Sequence, residues 1–167
     1  MAALEPPQSH YLSAAEGWLE LGDIPEARAE LARIPAEFQE HPEVLKIRWA
    51  VIAGEKDWPA AFEISGLLVQ KEPKSPCGWL HHAFAMRRMP QGGLQAAWDF
   101  LFPVLEIFPK VAIIPYNLAC YACQLQQVDK ARELFQRALN AGNKEQIKQL
   151  ALDDSDLQPL WPEIRQL

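Results

Sequence analysis

The sequence predicts an all-α protein built from repeated pairs of helices. Apolar residues recur at the helical spacing of three and four residues over stretches of about ten residues. Most of the 14 prolines stand where helices are expected to begin or have just ended. A short pattern also returns about every 34 residues, and no Asn-Gly or Asp-Gly hairpin signal interrupts it.

The predicted helices can be followed along the chain by their apolar spacing. Clear examples run over residues 12–21, 44–52, 62–69 and 118–125. Asp23 and Asp57 each stand two residues before a proline, an arrangement typical of an N-cap and a first-turn proline. Pro35 is expected to end one helix early, and Pro103 is expected to kink another.

The residues after Gly142 predict a C-terminal cap. Two short helices are expected there, over 144–152 and 156–166. A stack of helix pairs needs a terminal element with one polar face, or copies of the chain would join end to end. The residues expected on the buried side of the cap are Leu157, Leu160, Trp161, Ile164 and Leu167.

An internal repeat is the strongest signal in the sequence. The pattern apolar-x-x-Ala occurs four times, with alanines 34, 36 and 34 residues apart, at Ala27, Ala61, Ala97 and Ala131. Four blocks with one common internal spacing precede them, beginning at Tyr11, Leu45, Trp79 and Pro115. Antiparallel helices approach closely only where side chains are small, so alanines at a fixed period indicate a repeated helix crossing.

These features resemble the tetratricopeptide repeat (TPR), a helix–turn–helix unit of 34 residues, and in particular bacterial proteins of that family. Residues that match its small positions and its terminal proline include Ala15, Ala83, Ala119, the four alanines above, Pro73 and Pro109. The resemblance implies a right-handed α-solenoid of about four TPR-like repeats with C-terminal capping helices. The repeats would span about 8–41, 42–75, 76–111 and 112–142, followed by the cap at 143–167, in a single domain, 1–167.

Three positions depart from the family pattern. Trp49 stands where a small residue is usual, and Arg48 stands where the family prefers leucine. His82 replaces a core leucine, so we expect it to find a hydrogen-bond partner inside the fold.

The resemblance implies that the first helices of the repeats line an inner, concave face. We therefore predict a non-catalytic protein–protein interaction module, an adaptor or scaffold, that binds a peptide or helix of a protein partner there. Arg87 and Arg88 favour a ligand with at least one acidic group. The predicted contact residues are Lys46, Leu80, Phe84, Arg87, Arg88, Tyr116, Asn117, Cys120, Cys123 and Gln124.

Two other functions are kept as alternatives. Cys120 and Cys123, together with Cys77 and His81, would supply four nitrogen and sulfur ligands for a zinc site, or a thiol-dependent site. The pair lies in mid-helix, where no helix N-terminus lowers a thiol pKa. The second alternative is a self-associating structural subunit, a weak homo-oligomer, for which an exposed Trp98 would be an interface candidate, although packing in the core is favoured.

Composition and motifs argue against several other classes of function. A formal net charge of −6 disfavours a nucleic-acid partner, whose phosphates attract lysine and arginine. No apolar stretch is as long as a membrane helix, and no leader sequence is visible, so we expect a cytoplasmic protein that binds no membrane. No nucleophile elbow, phosphate-binding glycine loop or paired zinc-binding histidines occur, so no enzyme activity, cofactor or metal is predicted.

Overall fold

The computed structural model describes residues 4–167, and all regular structure within that range is helical. The first three residues of the predicted domain, 1–167, lie outside the described range. The chain forms two compact units, one ending at Ala85 and the other beginning at Met86.

The first unit contains two complete helix pairs and most of a fifth helix. Its helices are α1 (Gln8–Glu20), α2 (Ile24–Ala32), α3 (Pro42–Gly54), α4 (Trp58–Lys71) and α5 (Pro76–Arg88), the last continuing into the second unit. α1 packs on α2 and α3 packs on α4, while α3 also contacts α1 and α2. The expected early end before Pro35 is confirmed, since α2 ends at Ala32 and a short 3-10 helix, Ala36–Phe38, leads to α3.

Asp23 and Asp57 begin α2 and α4 as predicted. The Asp23 carboxylate accepts a hydrogen bond from the Glu26 N–H at 3.2 Å, and the Asp57 carboxylate accepts one from the Ala60 N–H at 3.2 Å. Each helix carries a proline in its first two positions, where an N–H would have no partner within the helix. A cap of this kind contributes about 1 kcal/mol, so local sequence determines where these helices start.

The small residues identified by the repeat are completely buried. All of them have an exposed fraction of 0%: Ala15, Ala27, Ala61, Ala83, Ala97, Ala119 and Ala131. Gly78 on α5 follows the same rule, because a Cβ atom there would lie 2.8 Å from the backbone nitrogen of Val69 in α4. The close helix crossings therefore depend on side chains too small to hold the backbones apart.

Two of the departures from the repeat pattern are accommodated by aromatic stacking. The buried Trp49 ring lies parallel to the His81 imidazole, with ring centroids 3.8 Å apart. His82 stacks on Phe62 at 3.9 Å, and its Nδ1 atom lies 3.0 Å from the Ser65 hydroxyl and 3.1 Å from the Phe62 carbonyl oxygen. The expected polar partner of His82 is thus present.

The second unit holds the remaining helices. They are α6 (Leu94–Leu101), α7 (Val104–Ile107), α8 (Ile113–Gln124), α9 (Val128–Ala141), α10 (Lys144–Asp153) and α11 (Trp161–Ile164), with a 3-10 helix, Ser155–Leu160, before α11. α8 packs on α9, and both α6 and α7 contact α8. None of the helices within residues 4–167 has both the length and the apolar character needed to cross a membrane.

Pro103 separates α6 from α7, so the expected kink is a complete break in the helix. On α6, Trp98 is 6% exposed and stacks on Phe102 with centroids 5.2 Å apart. The ammonium of Lys130 lies 4.8 Å from the centre of the Trp98 ring. Packing of Trp98, the favoured interpretation, is confirmed.

The C-terminal cap begins as expected but ends differently. α10 matches the first predicted helix closely, whereas a 3-10 helix containing Pro159 and the four-residue α11 replace the second. Proline lacks the N–H that a continuous α-helix would use at that point. Of the residues expected on the buried side of the cap, Leu157, Leu160 and Ile164 are fully buried, at 0%, 1% and 1% exposed, and Trp161 is half-buried. The prediction was wrong for Leu167, which is 62% exposed.

Candidate partner-binding surface

The predicted contact residues lie on first helices of the helix pairs. They are Lys46 on α3, then Leu80, Phe84, Arg87 and Arg88 on α5, and Tyr116, Asn117, Cys120, Cys123 and Gln124 on α8. The division between the units falls inside α5, so Lys46, Leu80 and Phe84 belong to the first unit and the others to the second.

One face of α8 is covered by a segment of the same chain. This acidic segment, residues 154–160, contains Asp154 and Asp156 and includes the 3-10 helix that packs on α8. Under it, Tyr116, Cys120 and Cys123 are only 4%, 3% and 5% exposed. These three predicted contact residues therefore face the protein's own C-terminal cap.

The Asp154 carboxylate is the main polar contact between the acidic segment and α8. Its Oδ2 atom accepts hydrogen bonds from the Tyr116 hydroxyl at 3.0 Å and from the Cys120 thiol at 3.5 Å. Its Oδ1 atom accepts the Asp156 N–H at 3.0 Å. The carboxylate caps the 3-10 helix with one oxygen and binds α8 with the other.

Asp156 forms the second polar contact of the segment. Its carboxylate pairs with the Arg87 guanidinium at 2.5 Å, and both side chains are about three-quarters buried. Its carbonyl oxygen lies 3.4 Å from Nε2 of Gln124, which donates to it from α8. The acidic group that the sequence predicts opposite Arg87 is thus supplied by the chain itself.

Protonation reinforces this arrangement. Burial raises the pKa of the Tyr116 hydroxyl and of the Cys120 thiol, and the nearby Asp154 carboxylate raises both further. Burial also raises the pKa of Cys123 to about 11. These groups remain protonated at neutral pH, so the face of α8 presents hydrogen-bond donors suited to a carboxylate.

In the first unit, the predicted contact residues are half-buried. The Lys46 ammonium pairs with the Glu72 carboxylate at 2.7 Å. Phe84 lies edge-on to both Trp49 and Trp58, with centroids 5.8 Å away in each case, so part of its ring is used in packing. Leu80 is half-buried on the same helix.

An open cleft lies between α1 and α3. Its volume is about 280 Å³, and its lining consists of Ser9, Leu12, Ser13, Glu16, Glu43, Lys46 and Ile47. Leu12, 8% exposed, and the half-buried Ile47 form an apolar floor. Glu16 and Glu43 are exposed at the rim, and within residues 4–167 neither forms an ion pair. The cleft therefore combines an apolar floor with uncompensated negative charge.

The zinc alternative is not supported by the geometry. Across residues 4–167, no group of three or more His, Cys, Asp or Glu side chains is arranged to hold a metal ion. Cys120 donates its thiol proton to Asp154, and Cys77 lies against His81 at 3.6 Å. Burial raises the pKa of Cys120, Cys123 and Cys77, which also makes each a poor nucleophile at neutral pH. The zinc alternative therefore gains no support, and the thiols lack an activating environment.

The acidic segment was not among the residues predicted to form this surface. Sequence alone assigns Asp154 and Asp156 to a cap, because an acidic run before a helix is usually solvated or caps that helix. One signal was available in the sequence. The C-terminal part of the chain contains an acidic segment, and Arg87, predicted to lie on a first helix, carries the opposite charge.

Solved structures of TPR proteins resemble this chain in fold. TTC0263, a thermophilic TPR protein of Thermus thermophilus, matches with a TM-score of 0.74 and 19% identity over 94% of this chain and 82% of that chain. MamA of Desulfovibrio magneticus RS-1, from residue 41 to its end, matches with a TM-score of 0.68 and 17% identity over 99% of this chain and 97% of that chain. The predicted all-α, TPR-like helical-repeat fold is confirmed.

The sequence-based comparisons give no match. No family model matches the chain, and no curated protein matches it.

Proposed function

We propose that this chain is a non-catalytic protein-recognition module, an adaptor or scaffold, that binds a peptide or helix of a partner on the faces of its first helices. The TPR-like fold supports a role in protein interaction in general. Enzyme activity, a cofactor, nucleic acid and membrane form no part of the proposal, and a cytoplasmic location remains the prediction from sequence.

One observation carries the proposal. A first-helix face of this chain already holds a short peptide segment, because α8 binds residues 154–160 through Tyr116, Cys120 and Gln124. The contacts combine a carboxylate, a backbone carbonyl and a buried leucine, Leu157, which is the chemistry expected of a bound partner peptide.

The acidic segment is too firmly held to be the part that a partner replaces. Its release would expose Leu157 and Leu160, which costs about 2 kcal/mol of burial free energy for each side chain. A competing ligand would lose about 4 kcal/mol of binding free energy, or a factor of about 10³ in affinity. We therefore assign Arg87, Tyr116, Cys120, Cys123 and Gln124 to holding the segment.

The remaining predicted contact residues are those proposed to meet a partner. In the first unit these are Lys46, Leu80 and Phe84, and in the second unit Arg88 and Asn117. Arg88 is proposed to meet an acidic group of the partner.

Affinity capture from extracts of cells that produce this protein tests the proposal. Wild-type protein should retain a partner reproducibly, and the purified partner should bind the Leu80→Ser and Arg88→Ala variants at least fivefold more weakly. Leu21→Ser, at a site 77% exposed, and Arg33→Ala, which breaks an exposed pair with Glu30, are the matched controls. Failure to retain any partner, or equal binding by all four variants, would reject the proposed function.

A further inference from the structure

The repeat relates the occupied face of α8 to the open cleft between α1 and α3. Three successive repeat spacings, of 34, 36 and 34 residues, separate equivalent positions of α1 and α8. Tyr116 of α8 therefore corresponds to Leu12 of α1, and Cys120 corresponds to Glu16. Leu12 and Glu16 both line the cleft. The positions that hold the acidic segment on α8 are therefore the positions that line an open cleft on α1.

The chemistry at these equivalent positions is reversed. On α8, the Tyr116 hydroxyl and the Cys120 thiol donate hydrogen bonds to the Asp154 carboxylate. On α1, an apolar side chain and the carboxylate of Glu16 occupy the same places, and Glu43 adds a second carboxylate from α3. A carboxylate accepts hydrogen bonds and cannot bind an acidic ligand without repulsion.

The one basic residue of the cleft lining does not cancel this charge. Lys46 directs its ammonium to Glu72, the residue that follows α4, at 2.7 Å, and the two charges compensate each other. Glu16 and Glu43 have no such ion-pair partner within the part of the chain that the structure describes. A cationic group is therefore the complement that the cleft lacks.

We propose that the α1–α3 cleft binds a partner segment through a lysine or arginine side chain. The cationic head pairs with Glu16 and Glu43, and the aliphatic stem lies on Leu12 and Ile47. Long basic side chains suit such a site because they cover apolar surface with their stems while their charged ends stay in water. This inference rests on the proposed function, and it names the chemistry of the partner segment that the α1–α3 cleft would bind.

Selection from a random peptide library displayed on phage, with the full chain as bait, tests the inference. The enriched peptides should carry a lysine or arginine beside apolar residues. As synthetic peptides, they should bind the Glu16→Lys and Glu43→Lys variants about tenfold more weakly at low ionic strength, and this difference should shrink with added salt.

A matched control separates the cleft from the net charge of the protein. Glu63→Lys makes the same change of charge on α4, away from the cleft, and should leave the affinity unchanged. A peptide in which glutamate replaces the basic residue should bind the Glu16→Lys variant more tightly than it binds the wild-type protein. Since all three glutamates are exposed, each variant should fold, and circular dichroism checks this.

The outcomes distinguish this inference from the proposed function. Enriched peptides without a basic residue, or affinities lowered equally by Glu63→Lys, would overturn the basic-ligand site and leave the recognition role standing. Enrichment of no peptide at all would overturn both.

Discussion

Asp154 shows how much of the C-terminal cap depends on a single residue. Its two oxygens together accept hydrogen bonds from Tyr116, Cys120 and the Asp156 backbone. Hydrogen bonds to a charged group are stronger than those between neutral groups. When such a bond is lost at a partly buried site, the carboxylate is left poorly solvated, which costs free energy. The donors on α8 are therefore expected to matter for stability.

The Tyr116→Phe variant tests this expectation. It removes the 3.0 Å hydrogen bond to Asp154 while keeping the buried ring, and should lower the free energy of unfolding by about 1–2 kcal/mol. Urea denaturation measures the change. Tyr11→Phe, on the half-buried ring that lies against Arg33, is the matched control and should change stability little. An equal effect of the two substitutions would contradict the role given to Asp154.

His81 gives the first unit a predictable response to acid. Burial, aided by the charge of Lys46, lowers its pKa to about 4, so protons bind preferentially to the unfolded chain below the ordinary pKa of about 6.5. The stability associated with neutral His81 is complete above that pH and declines as the pH falls toward 4.

The His81→Phe variant keeps a ring against Trp49 but cannot be protonated. Urea denaturation at about pH 7 and about pH 4.5 should show a loss of stability that is smaller in the variant by about 2 kcal/mol. His82, whose pKa is also lowered by burial, contributes to the loss in both proteins. The same loss in both would show that His81 is not buried in its neutral form.

Among the secondary-structure elements, the contact between α4 and α5 depends on a glycine. A Cβ atom on Gly78 would lie 2.8 Å from the Val69 backbone nitrogen and 3.0 Å from the Leu68 carbonyl carbon, and backbone atoms cannot yield as a side chain would. Gly78→Ala should therefore lower the free energy of unfolding by about 1–3 kcal/mol, despite the better helix propensity of alanine.

Gly17 in α1 is the control for this prediction. A Cβ atom there meets nothing within 4 Å, so Gly17→Ala should raise stability by about 0.5–1 kcal/mol. Thermal unfolding monitored by circular dichroism compares the two variants. If both substitutions raised the free energy of unfolding, α4 and α5 would be less closely packed than in the structure.

The helix pairs could be predicted from sequence because their determinants are local or periodic. Caps such as Asp23 and Asp57 act within three residues, and the buried alanines recur at one spacing. The acidic segment could not be placed in the same way. Its contacts join residues more than 30 positions apart, such as Tyr116 and Asp154, and no periodic pattern encodes them.

The helices that carry the candidate site could be predicted from the sequence, but the covering of one face could not. Its helices follow from the repeat, but whether a face is open or covered depends on where the cap lies. Tyr116, Cys120 and Cys123 have the residue types of a binding face and are buried by residues 154–160. Leu12 and Glu16, at equivalent positions of α1, line an open cleft instead.

For the whole molecule, the helical-repeat fold carries two first-helix faces that differ in charge. α8 carries an acidic segment of its own chain, while the α1–α3 cleft presents unpaired carboxylates. A net charge of −6 favours approach of a basic partner segment. Self-association remains a prediction, which sedimentation over a concentration series would measure.

Chemical-shift mapping of the backbone amides by NMR, on addition of a peptide selected by the wild-type chain, tests the central claim most directly. We predict shift changes within residues 9–16 and 43–47, while Tyr116, Cys120 and residues 154–160 keep their free-state shifts. Shift changes at Tyr116 and Cys120, with residues 154–160 acquiring random-coil shifts, would contradict the account, because the peptide would then have displaced the acidic segment from α8.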